Sequence, residues 1–188
     1  MTRAVIDIGT QSTNLLVRDA QGNDVQRIIA ATRLGESLHE TGVLSADAMQ
    51  RTTDKITQHI HTAQQLGATE IILTGTAACR RARNTADFLD LVMRTTGLPI
   101  EVLSEKEEAQ LSFAGALSGL PRIDGSTLVI DIGGGSTEYI IGFDSPEMSA
   151  SIPFGAVTAT SSHLSRDPAR PEDLTNLIGA VSDELEEI

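Results

Sequence analysis

Short runs of Val, Ile and Leu recur along this chain between turns rich in Gly, Ser and Thr, and longer stretches repeat their apolar positions every three to four residues. Residues 3–8 and 14–19 read as a β-hairpin around a Gly/Thr/Ser turn, and a third strand follows over 24–31. From Ser45 to about Gly67 the spacing of Ala48, Met49, Ile56, Ile60 and Ala63 predicts a helix with one buried face. A strand over 69–74, a helix over 85–96 ending at Gly97, and a strand over 99–103 come next. Ser104 to Glu107 has the spacing of a capping box and predicts a helix to roughly Leu117. After Gly119 and Pro121 the pattern resumes with strands over 127–132, 137–143 and 147–153, and a helix begins near Pro171.

The resumption is a repeat. Shifted by 124 positions, Val5-Ile6-Asp7-Ile8-Gly9 falls on Val129-Ile130-Asp131-Ile132-Gly133, and Ser12-Thr13 falls on Ser136-Thr137. Seven of the nine positions from 5 to 13 are identical, and the same shift lays the Ser45 helix on the one near Pro171 without gaps. An internal duplication is the simplest account. The first copy continues past its long helix with strand, helix, strand and helix, whereas the second has reached only its long helix at Ile188. The expected organisation is therefore a first domain over 1–118 and the N-terminal part of a second over 119–188. An unfinished sheet leaves an apolar face or a strand edge uncovered, so association into a homo-oligomer, or a missing C-terminal segment, is expected.

Charge and composition narrow the partners. Fourteen Lys and Arg stand against 26 Asp and Glu, a net charge of −12, which disfavours duplex DNA. Aromatics are 3% of the chain, too few for the stacking platforms that single-stranded nucleic acid needs. No apolar stretch approaches the ~20 residues of a membrane span. The N-terminus enters a strand with no signal-peptide core, and Cys79 is the single cysteine, so the cytoplasm is the expected compartment. Arg80, Arg81 and Arg83 form a local basic cluster that can still meet a polyanion.

The chemistry lies in the two duplicated turns. Gly133, Gly134 and Gly135 carry no Cβ, so their amides can approach one anion, and Ser136 adds a hydroxyl. Asp131 ends the strand before them; a carboxylate beside phosphate calls for a cation, and Mg²⁺ is the natural choice. Glu138, at the start of the return strand, is placed to order water or a metal-bound water. In the first copy, Asp7, Gly9, Thr10 and Ser12 keep the aspartate and hydroxyls without the glycine run, and two such loops can grip a phosphate chain from both sides. The His residues at 39, 59, 61 and 163 show no metal-ligand spacing, so a solvated or capping role is expected for them.

Four segments in order, VIDIGTQST at 5–13, GTAACRRARN at 75–84, LPIEVLSEKEEA at 98–109 and VIDIGGGSTE at 129–138, resemble the Ppx/GppA family of exopolyphosphatases and guanosine pentaphosphate phosphohydrolases. Arg33-Leu34-Gly35 and Gly155-Ala156-Val157 match more weakly. The resemblance implies an α/β protein of the actin-like ATPase (ribonuclease H-like) superfold, a duplicated βββαβαβα unit whose second copy is incomplete. It assigns Glu108 as the base that activates water and Arg80 as a phosphate-binding arginine, with Asp7 and Asp131 on Mg²⁺. The implied activity is hydrolysis of terminal phosphoanhydride bonds in polyphosphate or guanosine pentaphosphate, with polyphosphate or guanosine penta- or tetraphosphate as the expected partner. Asn14, Thr10-Gln11 and Thr158 depart from the family pattern and bear on affinity and chain-length preference. Two rival readings are a catalytically silent fragment that binds polyphosphate or the alarmone, and an actin-like ATPase or sugar kinase.

Overall fold

The computed structural model describes residues 1–121, 124–164 and 166–188. Strict alternation in Thr2–Ile8 (β1) sends Ala4, Ile6 and Ile8 to one face of a sheet. β1 pairs antiparallel with Ser12–Arg18 (β2), which pairs antiparallel with Asp24–Ala31 (β3). On its other side β1 takes the parallel strand Ala68–Gly75 (β4), and Ile100–Val102 (β5) completes the order β3-β2-β1-β4-β5. Between β3 and β4 lie a four-residue turn of helix, Leu38–Thr41 (α1), and the long helix Ala46–Gln65 (α2). α2 is capped by Ser45, whose hydroxyl accepts the Ala48 amide, and it buries Ala48, Ile56, Ile60 and Ala63 as its spacing predicts. Ala77–Arg81 (α3) and Thr85–Thr96 (α4) connect β4 to β5, and α4 places Phe88 and Val92 in the same core as Ile6, Ile8 and Ile56.

The second sheet is smaller. Thr127–Ile132 (β6), Thr137–Gly142 (β7) and Pro146–Ile152 (β8) form an antiparallel meander in the order β6-β7-β8. Glu105–Ser118 (α5) covers one face, with Ala109 and Phe113 packed on Ile140 and joined by Leu117 and Val129. Ala156–His163 (α6) and Pro171–Glu186 (α7) follow and pack on each other. Among the described residues no helix is long and apolar enough to cross a membrane.

The chain divides into two compact units, Met1–Leu103 and Ser104–Ile188. The sequence repeat counts α5 with the first half, to residue 118. Packing places it with the second, because Ala109 and Phe113 find their apolar partners on β6 and β7. Three helices escape the sequence reading. α1 and α3 are too short to show a period, and the run AVTATSSH in α6 is rich in β-branched and hydroxyl residues that disfavour helix.

The duplication holds in three dimensions within each unit. Asp7 faces Asn14 across β1 and β2, and Asp131 faces Glu138 across β6 and β7, each pair at the same place in its hairpin. One difference is large. Ala4, Ile6 and Ile8 are 0–1% exposed beneath α2, whereas their counterparts Leu128, Ile130 and Ile132 are 50–70% exposed, and β6 is an edge strand where β1 has β4 beside it.

With so small a core, the second unit rests on Phe113. Phe113→Ala should destabilise it by about 3–5 kcal/mol. Urea unfolding followed by amide exchange is expected to show the loss in residues 104–188 while amides of β1, β2 and β4 keep their protection.

Candidate functional site

Each unit builds its turn in the same way. In the first, the Gly9 amide donates to the Ser12 carbonyl at 2.9 Å; in the second, the Gly133 amide donates to the Ser136 carbonyl at 2.9 Å. A Cβ on Gly9 or Gly133 would meet that carbonyl at 3.3 or 3.1 Å, a tight contact that would need the carbonyl to give by a few tenths of an ångström. The Gly133 N–H is thereby engaged inside the turn, which corrects the expectation that all three glycine amides point at an anion. Residue burial corrects a second expectation: Thr10 and Ser136 are buried, while Gly9, Gln11 and Ser12, and Gly133 and Gly134, are half-buried. Gly135 is buried as well.

The chain after the third strand closes on each turn. Thr32 and Arg33 donate their amides to Gln11, and Gly35 donates to Thr10 at 2.9 Å. In the second unit Ala156 donates to the Gly133 carbonyl at 2.9 Å and Val157 to that of Gly134 at 2.8 Å. Thr13 Oγ1 and Thr32 Oγ1 lie 2.8 Å apart, and Thr137 Oγ1 donates to the Phe154 carbonyl at 2.6 Å, so equivalent threonines tie both turns down. A Cβ on Gly155 would stand 2.5 Å from the Gly134 carbonyl carbon, and one on Gly35 would stand 2.3 Å from Cγ2 of Thr10. The segments Arg33-Leu34-Gly35 and Gly155-Ala156-Val157 are thus the buttresses of the two loops.

The aspartates are held differently. Asp7 accepts from Thr74 Oγ1 at 3.3 Å and from the Asn14 amide at 3.5 Å. Asp131 accepts from the hydroxyl of Ser112, on α5, at 2.6 Å. Its cross-strand neighbour Glu138 is buried and accepts from Ser151 at 3.1 Å, the residue opposite it on β8. Asp131, Glu138 and Ser151 therefore form a row across three strands. A cavity of ≈ 320 Å³ opens beside Glu138, lined by Glu105, Lys106 and Gln110 of α5 and by Glu147 to Ser151. Asp131 and Glu108 are not among its walls.

Glu107 and Glu108 divide the start of α5 between them. The Glu107 carboxylate accepts the Ser104 amide at 2.8 Å and its hydroxyl at 2.7 Å, completing the capping box. Those two donors hold the Glu107 carboxyl below the ordinary carboxylate range. Glu108 closes the first helical turn through its own amide to the Ser104 carbonyl at 2.9 Å, which fixes its backbone, and its side chain is half-buried. Arg80, at the end of α3, is also half-buried and donates Nη1 to the Leu103 carbonyl at 2.9 Å. Arg83 is structural: it donates to the Thr41 carbonyl at 2.8 Å and packs beneath Gly42. Burial pushes the Cys79 thiol up to about 12, against the smaller opposing pull of Arg80, so Cys79 is a core residue. His59 overturns the solvated expectation. It is buried on α2 with Nε2 3.2 Å from the Thr13 carbonyl, and desolvation lowers its pKa.

Among the described residues no three His, Cys, Asp or Glu side chains gather as a metal cage. The second unit offers the adjacent carboxylates Asp131 and Glu138, and the first offers Asp7. The Asp131–Glu138 pair by itself fits Mg²⁺, which keeps most of its waters and takes one or two carboxylates together with substrate phosphate.

Residues 15–188 match the Ppx/GppA phosphatase family. The chain is 34% identical over 190 residues to the guanosine-5'-triphosphate,3'-diphosphate pyrophosphatase of Vibrio cholerae, covering 98% of this chain and 38% of that protein. It is 32% identical over 197 residues to exopolyphosphatase 2 of Mycobacterium tuberculosis, covering 97% of this chain and 61% of that protein. The crystal structure of an exopolyphosphatase from Cytophaga hutchinsonii superposes with a TM-score of 0.90 at 27% identity, over 98% of this chain and 61% of the other. The structural neighbours share the actin-like ATPase fold. The chain thus spans between 38% and 61% of the length of these relatives.

The Gly155 buttress is testable. Gly155→Ala forces backbone against backbone and should cost about 1–3 kcal/mol, with phosphate-chain binding weakened at least severalfold. Gly179→Ala, in open space on α7, should be neutral or slightly stabilising. Thermal melts and calorimetric titration with polyphosphate check both.

Proposed function

This chain belongs to the Ppx/GppA phosphatase family, and on that premise we propose that it hydrolyses terminal phosphoanhydride bonds of polyphosphate or guanosine pentaphosphate. The observation that carries the reading is the second unit's arrangement: Asp131 at the mouth of a glycine turn, held by the same helix that presents Glu108. In this reading Glu108 accepts the proton of the attacking water. Oxygen then adds to the terminal phosphorus in line with the departing chain, whose terminal oxygen carries away the electron pair of the broken P–O bond. Arg80, always charged, offsets the negative charge on the phosphoryl oxygens. The half-buried Gly134 turn of the second unit receives those oxygens, and the Ser12 turn of the first unit is its counterpart in the repeat. Glu138 orders water beside Asp131.

Asp131 and Glu138 in the second unit, and Asp7 in the first, are the residues that would hold Mg²⁺, which would supply charge neutralisation of phosphate and polarisation of phosphorus. Like charges directly opposite on a sheet repel, and the Asp131–Glu138 pair supports a cation there. Most of the rate gain in such a reaction comes from positioning and electrostatics, which suits a site built on strand ends and a capped helix. A cytoplasmic location accords with the single, buried cysteine.

The bare face at Leu128, Ile130 and Ile132, with the open edge of β6, supports association through the second unit. A second copy of the chain, or a further C-terminal strand and helix, covers that surface in this reading. Light scattering at high concentration should show dimers or larger species; a monomer throughout would contradict the second-copy form.

Glu108→Gln keeps shape and removes basicity, so phosphate release should fall ~10²-fold or more. Turnover within a few-fold of the unmodified chain would remove Glu108 from the mechanism. Binding of polyphosphate without any turnover by the unmodified chain would favour a sensor, and binding of ATP would favour an ATPase or sugar kinase.

A further inference from the structure

α5 meets its sheet through Ala109, Phe113 and Leu117, which pack on Ile140 and Val129. Such contacts are non-directional: they set the distance between layers and leave sliding along the strands weakly opposed. Ser112 supplies what they lack. Its hydroxyl donates to Asp131 Oδ2 at 2.6 Å, across 19 positions of sequence and between helix and sheet. Hydroxyls on this protein's helices commonly turn back on the preceding turn instead: Thr53 to Met49, Thr57 to Thr53, Thr95 to Leu91, and Ser118 to Gly115 on α5 itself. Ser112 is aimed outward at a carboxylate. It also stands four residues after Glu108, on the same side of the helix, about 5–6 Å along.

We propose that Ser112 is a positioning residue for the reaction proposed above, on which this inference rests. Its hydroxyl locks the Asp131 carboxylate in one orientation and, through α5, fixes Glu108 in register with the glycine turn. The repeat strengthens the assignment. Asp7 accepts from Thr74 and Asn14, both on strands beside it, whereas the Ser112 donor to Asp131 comes from the helix that also carries the base. Glu138, likewise, is served from within the sheet by Ser151.

The test compares Ser112→Ala, Ser112→Thr and Asp131→Asn in the 188-residue chain, with polyphosphate and graded Mg²⁺. Ser112→Ala should lower kcat roughly tenfold or more, as expected for loss of a hydrogen bond to a charged group. KM should stay within about twofold, and Ser112→Thr, which keeps the hydroxyl, should recover most of the rate. Ala is a strong helix former, and a thermal midpoint near that of the unmodified chain shows that the fold survives; if it does not, Ser112→Cys, with only a weak donor, takes its place. Wild-type kcat in Ser112→Ala beside an inactive Asp131→Asn overturns this inference and leaves the hydrolase reading intact. So does equal loss in the Ala and Thr variants. If Asp131→Asn turns over normally, hydrolysis stands but Asp131 has no part in it, and amide exchange decides the positioning claim separately. Exchange at least about fivefold faster over residues 131–136 in Ser112→Ala, restored in Ser112→Thr, supports it; unchanged exchange refutes it.

Discussion

Both halves of this protein depend on one small closure: a glycine amide just past the end of a strand folds back onto the carbonyl of a serine three residues on. The bond turns the chain tightly enough that the preceding aspartate remains on the strand, facing a fixed cross-strand partner. The segment after the third strand then closes over the turn, donating amides to the carbonyls at its tip. A loop braced from both sides is rigid before any ligand arrives, which is the condition under which backbone dipoles stabilise phosphate without reorganising.

The two copies have diverged in what surrounds that closure. In the first unit the aspartate accepts from Asn14 and Thr74 on the strands to either side of it. In the second it sits against Glu138 and is gripped from α5 by Ser112, so negative charge accumulates and donors are few. The same divergence appears in coverage: an apolar face sealed by α2 in one unit is open in the other. In the proposed reading the base and the paired carboxylates thus fall in the less thoroughly packed unit, in keeping with functional regions being drawn from the less stable parts of a fold.

What the sequence made legible was local or periodic. The Ser104–Glu107 cap, the long face of α2 and the hairpins on either side of each turn follow from spacings of two to four residues, and each appears in place. The repeat made both loops visible because identity survives at the positions that shape the turn. Distant partnerships were hidden. Nothing in the chain near Asp131 points to Ser112, and the burial of His59 depends on a carbonyl 46 positions away. The engagement of the Gly133 amide could not be read either, since three consecutive glycines look equally available until the turn is built. The apolar run in TLVIDI announced a strand and was silent on which of its faces would be covered.

The central claim is that the Asp131 turn receives a phosphate chain together with a divalent cation. Crystals grown with Mn²⁺ and a slowly hydrolysed phosphate chain test it directly through the anomalous signal of manganese. The account predicts a peak at about 2.0–2.3 Å from an Asp131 carboxylate oxygen, a coordination distance for such ions, with a phosphoryl oxygen at the Gly134 rim. Manganese and phosphate bound elsewhere, with the Asp131 turn vacant, would contradict it.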